Sequence, residues 1–236
     1  MDKLNDFVVI GINRLGESVA THLFSLGKEV LAIDKNQARI STLGGKVSTA
    51  VATDATSFEV LHSLGVQNFD CVIICINDNL EGSLLTAQIV KDLGVKYVIA
   101  TAMSEPHGKI LTALGVDLVI YPDEFVGSKL ASMLSKPGIN ELVDLTEEFK
   151  IFEMKVPESW QDKAVEELNL RKKYKLSIVF IKRGNKVISP EPDTVLLEGD
   201  MLVVAGESAK INVVASLVND TTDVESQLSS VFGENK

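Results

Sequence analysis

Apolar residues in this chain gather into short continuous runs at positions 7–10, 29–34, 47–52, 70–76, 97–102 and 117–121, with amphipathic stretches between them. Runs of that length without polar alternation predict strands covered on both faces, as in a parallel sheet wound with helices on either side. The punctuation is regular. Leu26-Gly27, Leu64-Gly65-Val66, Leu93-Gly94-Val95 and Leu114-Gly115-Val116 each close an amphipathic stretch and precede an apolar run. A glycine just past a helix takes the left-handed conformation and satisfies the last carbonyls, so each repeat marks one helix-to-strand corner of a βα ladder.

The pattern changes after a predicted helix at 125–134. Lys136-Pro137-Gly138 reads as a break, and the following stretch carries Glu141, Asp144, Glu147 and Glu148. Short strands then follow at 151–156, 176–181, 187–189 and 201–205, with helices at 162–168 and 208–217. Arg183-Gly184-Asn185-Lys186 is a hairpin signal. The expected organisation is a first domain over 1–136, a linker over 137–149, a small α+β domain over 150–218, and a polar acidic tail over 219–236, expected to be disordered.

At 236 residues and 45% hydrophobic, the chain can bury one good core and a smaller second one. A net charge of −10 argues against nucleic-acid binding through a basic surface. No apolar run approaches the roughly 20 residues of a membrane span. The start, Met1-Asp2-Lys3-Leu4-Asn5-Asp6, lacks the basic and apolar regions of a signal peptide. The expectation is a cytoplasmic protein with no direct membrane insertion. Cys71 and Cys75 share one face of a strand and read as buried, reduced thiols. His22, His62 and His107 fall on separate predicted helices, and no metal-ligand cluster is visible.

The candidate chemistry lies between Phe7 and Asp34. The first strand runs into Gly11-Ile12-Asn13-Arg14-Leu15-Gly16, a helix follows, and the next strand ends on Asp34 with Lys35 after it. This order begins a dinucleotide-binding unit, so the first domain is Rossmann-like. Gly11 permits the tight turn and Gly16 the close packing of the helix on the strand. The helix N-terminus faces a phosphate, and Asp34 accepts ribose hydroxyls, favouring NAD or adenosine over a 2′-phosphate. Asn13 stands where the middle glycine is usual; it tolerates left-handed backbone, and either adds a polar contact or pushes the phosphates outward. Arg14 suits phosphate oxygens. The alternative, a solvated cation at a helix start, opposes the helix dipole.

Asp54, in Ala52-Thr53-Asp54-Ala55-Thr56, lines the adenine side or caps the next helix, and Ala55 lies beside it. Asn77 and Asn79 follow the fourth strand, at a carboxyl end where open sheets bind ligands, and also suit a helix cap. Asp123 and Glu124 are either ligands for a divalent cation beside polyphosphate or acids at a helix start. No Ser-His-Asp, Cys-His or Tyr-Lys constellation accompanies the turn, which argues against an enzyme. An NAD-dependent oxidoreductase or an NADH-binding redox sensor stays as the alternative.

The motifs from Val9-Ile10-Gly11 to Arg14-Leu15-Gly16, together with Leu31-Ala32-Ile33-Asp34 and Leu64-Gly65-Val66-Gln67-Asn68-Phe69-Asp70, carry a resemblance. So do Tyr121-Pro122-Asp123 with Gly127, and Leu168-Asn169-Leu170-Arg171-Lys172-Lys173-Tyr174. Over residues 5–218 the chain resembles the cytosolic regulatory subunits of Ktr/Trk-type potassium transporters, built from RCK N-terminal and C-terminal domains. Its single-copy length is closer to the Ktr type. The resemblance implies dimers forming an octameric ring, peripheral to the membrane through a potassium-translocating subunit. ATP or ADP at the Rossmann site would gate transport. Asp34 would then hold the ribose, Gly11 and Gly16 would shape the loop, and Arg14 would touch terminal phosphates, including those bound by a neighbouring subunit. Asp123 would help place a divalent cation, expected to be magnesium. The second domain would bind cyclic di-AMP between two subunits, with Arg171 and Lys173 as basic residues and Ile178 and Pro190 as walls. A solvated basic patch from Arg171 to Lys175 is the alternative. Lys172 and Lys175 replace small residues common in such proteins, strengthening phosphate attraction or blocking the pocket.

Overall fold

In the computed structural model, which describes residues 4–135, 138–215 and 217–218, six parallel strands make the first sheet. They are β1 (Asp6–Ile10), β2 (Glu29–Asp34), β3 (Thr49–Ala52), β4 (Cys71–Ile74), β5 (Tyr97–Thr101) and β6 (Leu118–Ile120), in the order β3-β2-β1-β4-β5-β6. Helices α1 (Arg14–Ser25), α2 (Gln37–Ser41), α3 (Phe58–Ser63), α4 (Leu80–Asp92) and α5 (Glu105–Ala113) occupy the connections, with a 3-10 turn at Val66–Asn68. The order reverses between β1 and β4, which makes a crevice at the carboxyl end of β1.

The apolar runs are continuous because the sheet has a core on each face. Val8 and Ile10 of β1 join Leu31, Ile33, Val72 and Ile74 on one side. Phe7 and Val9 join Val30, Ala32, Cys71 and Ile73 on the other. The four corner glycines, Gly27, Gly65, Gly94 and Gly115, all have positive φ, between 73° and 84°. Cys71 and Cys75 are buried and unbridged in the same core, and burial pushes both thiols up to about 12, with Asp117 and Asp70 adding to the effect at Cys71.

The chain divides into two compact units, Met1–Phe125 and Val126–Lys236, so the first ends inside helix α6 (Pro122–Ser135) rather than at residue 136. The second unit is an antiparallel sheet of β7 (Ile139–Asp144), β8 (Phe149–Lys155), β9 (Leu176–Arg183), β10 (Lys186–Ile188) and β11 (Met201–Glu207), in the order β10-β9-β11-β8-β7. It also holds α7 (Val165–Leu168), α8 (Leu170–Tyr174) and α9 (Ser208–Ala215). Phe152, Met154, Leu176, Ile181, Leu202 and Val204 fill its core with Trp160. The hairpin turns on Gly184-Asn185, as the sequence predicts.

One expectation is corrected here. The segment assigned to a linker, 137–149, contains β7, paired antiparallel with β8. Two of its acids are cross-strand partners: Lys150 Nζ lies 2.8 Å from Glu141 and 3.0 Å from Asp144. Those carboxylates hold the Lys150 ammonium above its ordinary value. Residues 136–137 and the tail from 219 onward lie outside the described residues.

Helix α8 is capped at its C-terminus by Lys175, whose φ is +57°, a conformation that suits glycine and strains an L side chain. Lys175→Gly should therefore stabilise the second unit by about 0.5–1 kcal/mol in urea unfolding, despite glycine's greater unfolded-state entropy.

Candidate functional site

The glycine turn is built from close backbone approaches. Gly11 has φ +91°, and a Cβ there would lie 2.6 Å from the Cys75 carbonyl oxygen. A Cβ on Gly16 would overlap the carbonyl oxygen of Gly11. Both positions need glycine because the start of α1 rests on the ends of β1 and β4. Asn13 does not adopt the left-handed backbone its type tolerates: φ is −78° and it caps α1. Its Oδ1 accepts the Gly16 N–H at 2.9 Å, and its Nδ2 donates to the Cys75 carbonyl at 2.7 Å. The side chain that replaces the usual glycine is thus a tie between the turn and β4.

Asp34 ends β2 with its carboxylate almost wholly buried. Its Oδ2 accepts the Ile12 N–H at 2.6 Å, and its Oδ1 accepts the Asn36 N–H at 2.8 Å. Two backbone donors fix the acid's orientation at the crevice. Arg39, on α2, reaches Oδ2 of the same acid at 3.4 Å, and its other nitrogen lies 3.8 Å from Asp78 Oδ2.

These groups surround a cavity of about 270 Å³ at the carboxyl ends of β1 to β4. Of the residues singled out in the sequence, Gly11, Asn13, Asp34, Lys35, Asp54, Ala55, Asn77 and Asn79 line it. Asp54 does not cap α3; Ser57 does, accepting from Val60 N–H. Asp54 Oδ1 instead accepts both the hydroxyl and the N–H of Thr56, at 2.7 and 2.9 Å, bonds that with Lys35 hold its carboxyl below the usual range. Asn79 does cap α4, through Gly82 N–H at 3.0 Å. Asn77 Oδ1 accepts from the Thr101 hydroxyl at 2.5 Å.

Thr53 and Thr56, beside Asp54, and Asp78, between Asn77 and Asn79, also line the cavity, as do Arg39 and Thr86, which the sequence did not single out. The signal for Arg39 was its spacing of five residues past Asp34 on a helix beginning at Gln37, which turns its side chain back to the acid.

Arg14, Leu15 and Gly16 open α1 and are not among the residues lining the cavity; Arg14 is exposed. Asp123 is exposed in the first turn of α6. Among the described residues no three histidine, cysteine or acidic side chains meet as a metal set. In the second unit Arg171 and Lys173 are exposed on α8, with Arg171 Nε donating to Ser177 Oγ at 3.0 Å. Ile178 of β9 packs against the core, and Pro190 follows β10, half-buried. His107 is buried on α5, its Nδ1 accepting the Met103 N–H at 3.2 Å, and burial lowers its pKa. Among the described residues no helix is long and apolar enough to cross a membrane.

A parallel sheet with a glycine turn and a buried acid around one crevice defines a nucleotide-binding fold, and here a small antiparallel domain follows it. The family comparison agrees: a TrkA-N domain matches residues 7–122 and a TrkA-C domain residues 151–219. Over 210 residues the chain is 34% identical to Ktr system potassium uptake protein A of Bacillus subtilis, covering 89% of this chain and 95% of that one. It is 33% identical to Ktr system potassium uptake protein C of the same organism, covering 88% and 94%. The chain belongs to the Ktr/Trk family of potassium uptake proteins. Among solved structures the GsuK channel bound to NAD has a similar fold, with a TM-score of 0.60, 20% identity and 93% of this chain covered. The chain spans only 40% of that channel's length.

Proposed function

We propose that this chain is a regulatory subunit that gates a membrane potassium uptake channel in response to ATP and ADP at the crevice beside Asp34. The observation that carries the reading is the pairing of that crevice with family membership. Gly11 and Gly16 let the turn and the start of α1 pack directly on the strand ends, where any Cβ would clash with backbone, and Asp34 is held facing the cavity by two backbone N–H groups. These residues fit an adenine nucleotide. Asp34 would take the ribose, Asp54 and Ala55 the base, and the start of α1 the phosphates. Arg14, exposed beside that start, would meet terminal phosphates, its own or a neighbouring subunit's. Asp123 would supply one oxygen to a magnesium ion whose other ligands are phosphate and water. In the second unit Arg171, Lys173, Ile178 and Pro190 would hold cyclic di-AMP between two copies.

The chain would act as dimers in an octameric ring on the cytoplasmic side of its membrane partner. The bound nucleotide would act by its shape and charge. Calorimetric titration of nucleotide-free protein with ATP, ADP, NAD and NADH, with and without magnesium, tests this. Micromolar binding of ATP and ADP, with NADH much weaker, is expected. A clear preference for NADH would replace the reading with a redox sensor. A nucleotide-loaded monomer in light scattering would count against the ring.

A further inference from the structure

The carboxylate of Asp34 has about four lone-pair positions on its two oxygens. Oδ2 takes the Ile12 N–H at 2.6 Å and Arg39 Nη1 at 3.4 Å. Oδ1 takes the Asn36 N–H at 2.8 Å, leaving one position open. A ribose held through both its 2′ and 3′ hydroxyls needs one acceptor position on each oxygen. With Arg39 in place, Oδ2 has none left. The seat for the ribose is half taken by the chain's own guanidinium.

The hold is a weak one. The Arg39 contacts, at 3.4 and 3.8 Å, are longer than the backbone bonds to the same acid, and its side chain is 41% exposed. It extends from a helix of only five residues. Its two acidic partners belong to different connections, Asp34 at the end of β2 and Asp78 after β4. Strand β1, with its glycine turn, lies between β2 and β4 in the sheet. The Asp34–Arg39–Asp78 bridge therefore joins the two sides of the crevice through which the phosphates would pass.

We propose that Arg39 is a specificity-determining residue that occupies the ribose seat and yields it to phosphorylated nucleosides, an inference that rests on the adenine-nucleotide reading above. A bare nucleoside must displace the guanidinium from Asp34 and offers it nothing in return. A nucleotide offers phosphate oxygens, to which the planar fork bonds more strongly than to a carboxylate oxygen at 3.4 Å. Asp78 sets the balance by drawing Arg39 away from the ribose acid. Because the exchange happens on Asp34 itself, its sharpest reporter is an uncharged ligand, which does not feel the loss of a cation at long range.

The test is calorimetric titration of the wild type, Arg39→Gln and Asp78→Asn with adenosine, 2′,3′-dideoxyadenosine and ATP, with circular dichroism to establish folding. Arg39→Gln should bind ATP about tenfold more weakly, the loss of one charge-assisted hydrogen bond. The same variant should bind adenosine several-fold more tightly and leave dideoxyadenosine, which makes no demand on Asp34, unchanged. Asp78→Asn should move adenosine the other way, since Arg39 then has only Asp34 to hold. Adenosine unchanged or weakened by Arg39→Gln would overturn the proposal while leaving the nucleotide reading intact. Should Arg39→Gln not fold, adenosine binding unchanged or tighter in Asp78→Asn would overturn it alone. A wild type that binds no adenine ligand at all would remove the nucleotide reading and this inference together.

Discussion

Gly16→Ala will cost the first unit about 2–3 kcal/mol and weaken the proposed nucleotide binding by about tenfold or more. The added methyl group overlaps the carbonyl oxygen of Gly11, which is backbone and has no other rotamer to adopt. Either α1 moves off the strand or the turn opens, and both movements carry away the N–H groups at the helix start. Asn13 would lose its bond to Gly16 N–H in the same step, loosening the tie to Cys75. Thermal melting followed by far-ultraviolet circular dichroism, alongside ATP titration, checks both parts. A variant with unchanged melting and unchanged affinity would show that the helix start can shift freely.

Asp200→Ala will have a comparable effect, confined to the second unit, at about 2–3 kcal/mol. Asp200 is 1% exposed and accepts Arg183 Nε at 2.8 Å and Nη2 at 2.7 Å, together with the Leu197 N–H at 2.9 Å. Removing the carboxylate leaves a guanidinium without its counter-ion and an N–H without its acceptor. Burial by itself would push the Asp200 carboxyl up, but Arg183 and the Leu197 N–H together hold it below its ordinary value of 3.8. A depressed folded-state pKa means that the pair's stabilisation is fully present above about pH 4 and is lost as pH falls through the lower folded value. The single tryptophan, Trp160, is buried in this unit's core, so its fluorescence during urea unfolding follows the change directly. The variant should unfold at much lower urea, with little further loss in acid.

The first domain was legible because its signals are local. Continuous apolar runs report a sheet with two covered faces, and the Leu-Gly corners report helix ends, both set within a few residues. The crevice followed from the same order of elements, which placed Gly11, Asp34, Lys35 and Asn77 before any distance was known. Strand β7 was hidden because Glu141 and Asp144 look like solvated acids until Lys150 is found opposite them. Arg39 was hidden for a related reason: its second partner, Asp78, lies 39 positions along the chain. Asn13 misled in a different way. Its residue type suggested a backbone conformation, whereas its amide was needed for two hydrogen bonds. Local propensity has no access to an ion pair between distant segments, and such pairs decided most of what the sequence reading missed.

The two thiols have a practical consequence. Both belong to the first unit, on or just past the central strand β4, and both are nearly absent from solvent. With their pKa values near 12, almost no thiolate exists at neutral pH even when a reagent comes close. The second unit contains no cysteine. Thiol labelling of this chain thus acts as a clock for the opening of one particular sheet. Its rate, read with and without a bound ligand, measures how firmly the crevice holds that sheet closed, with no reporter residue introduced into the chain.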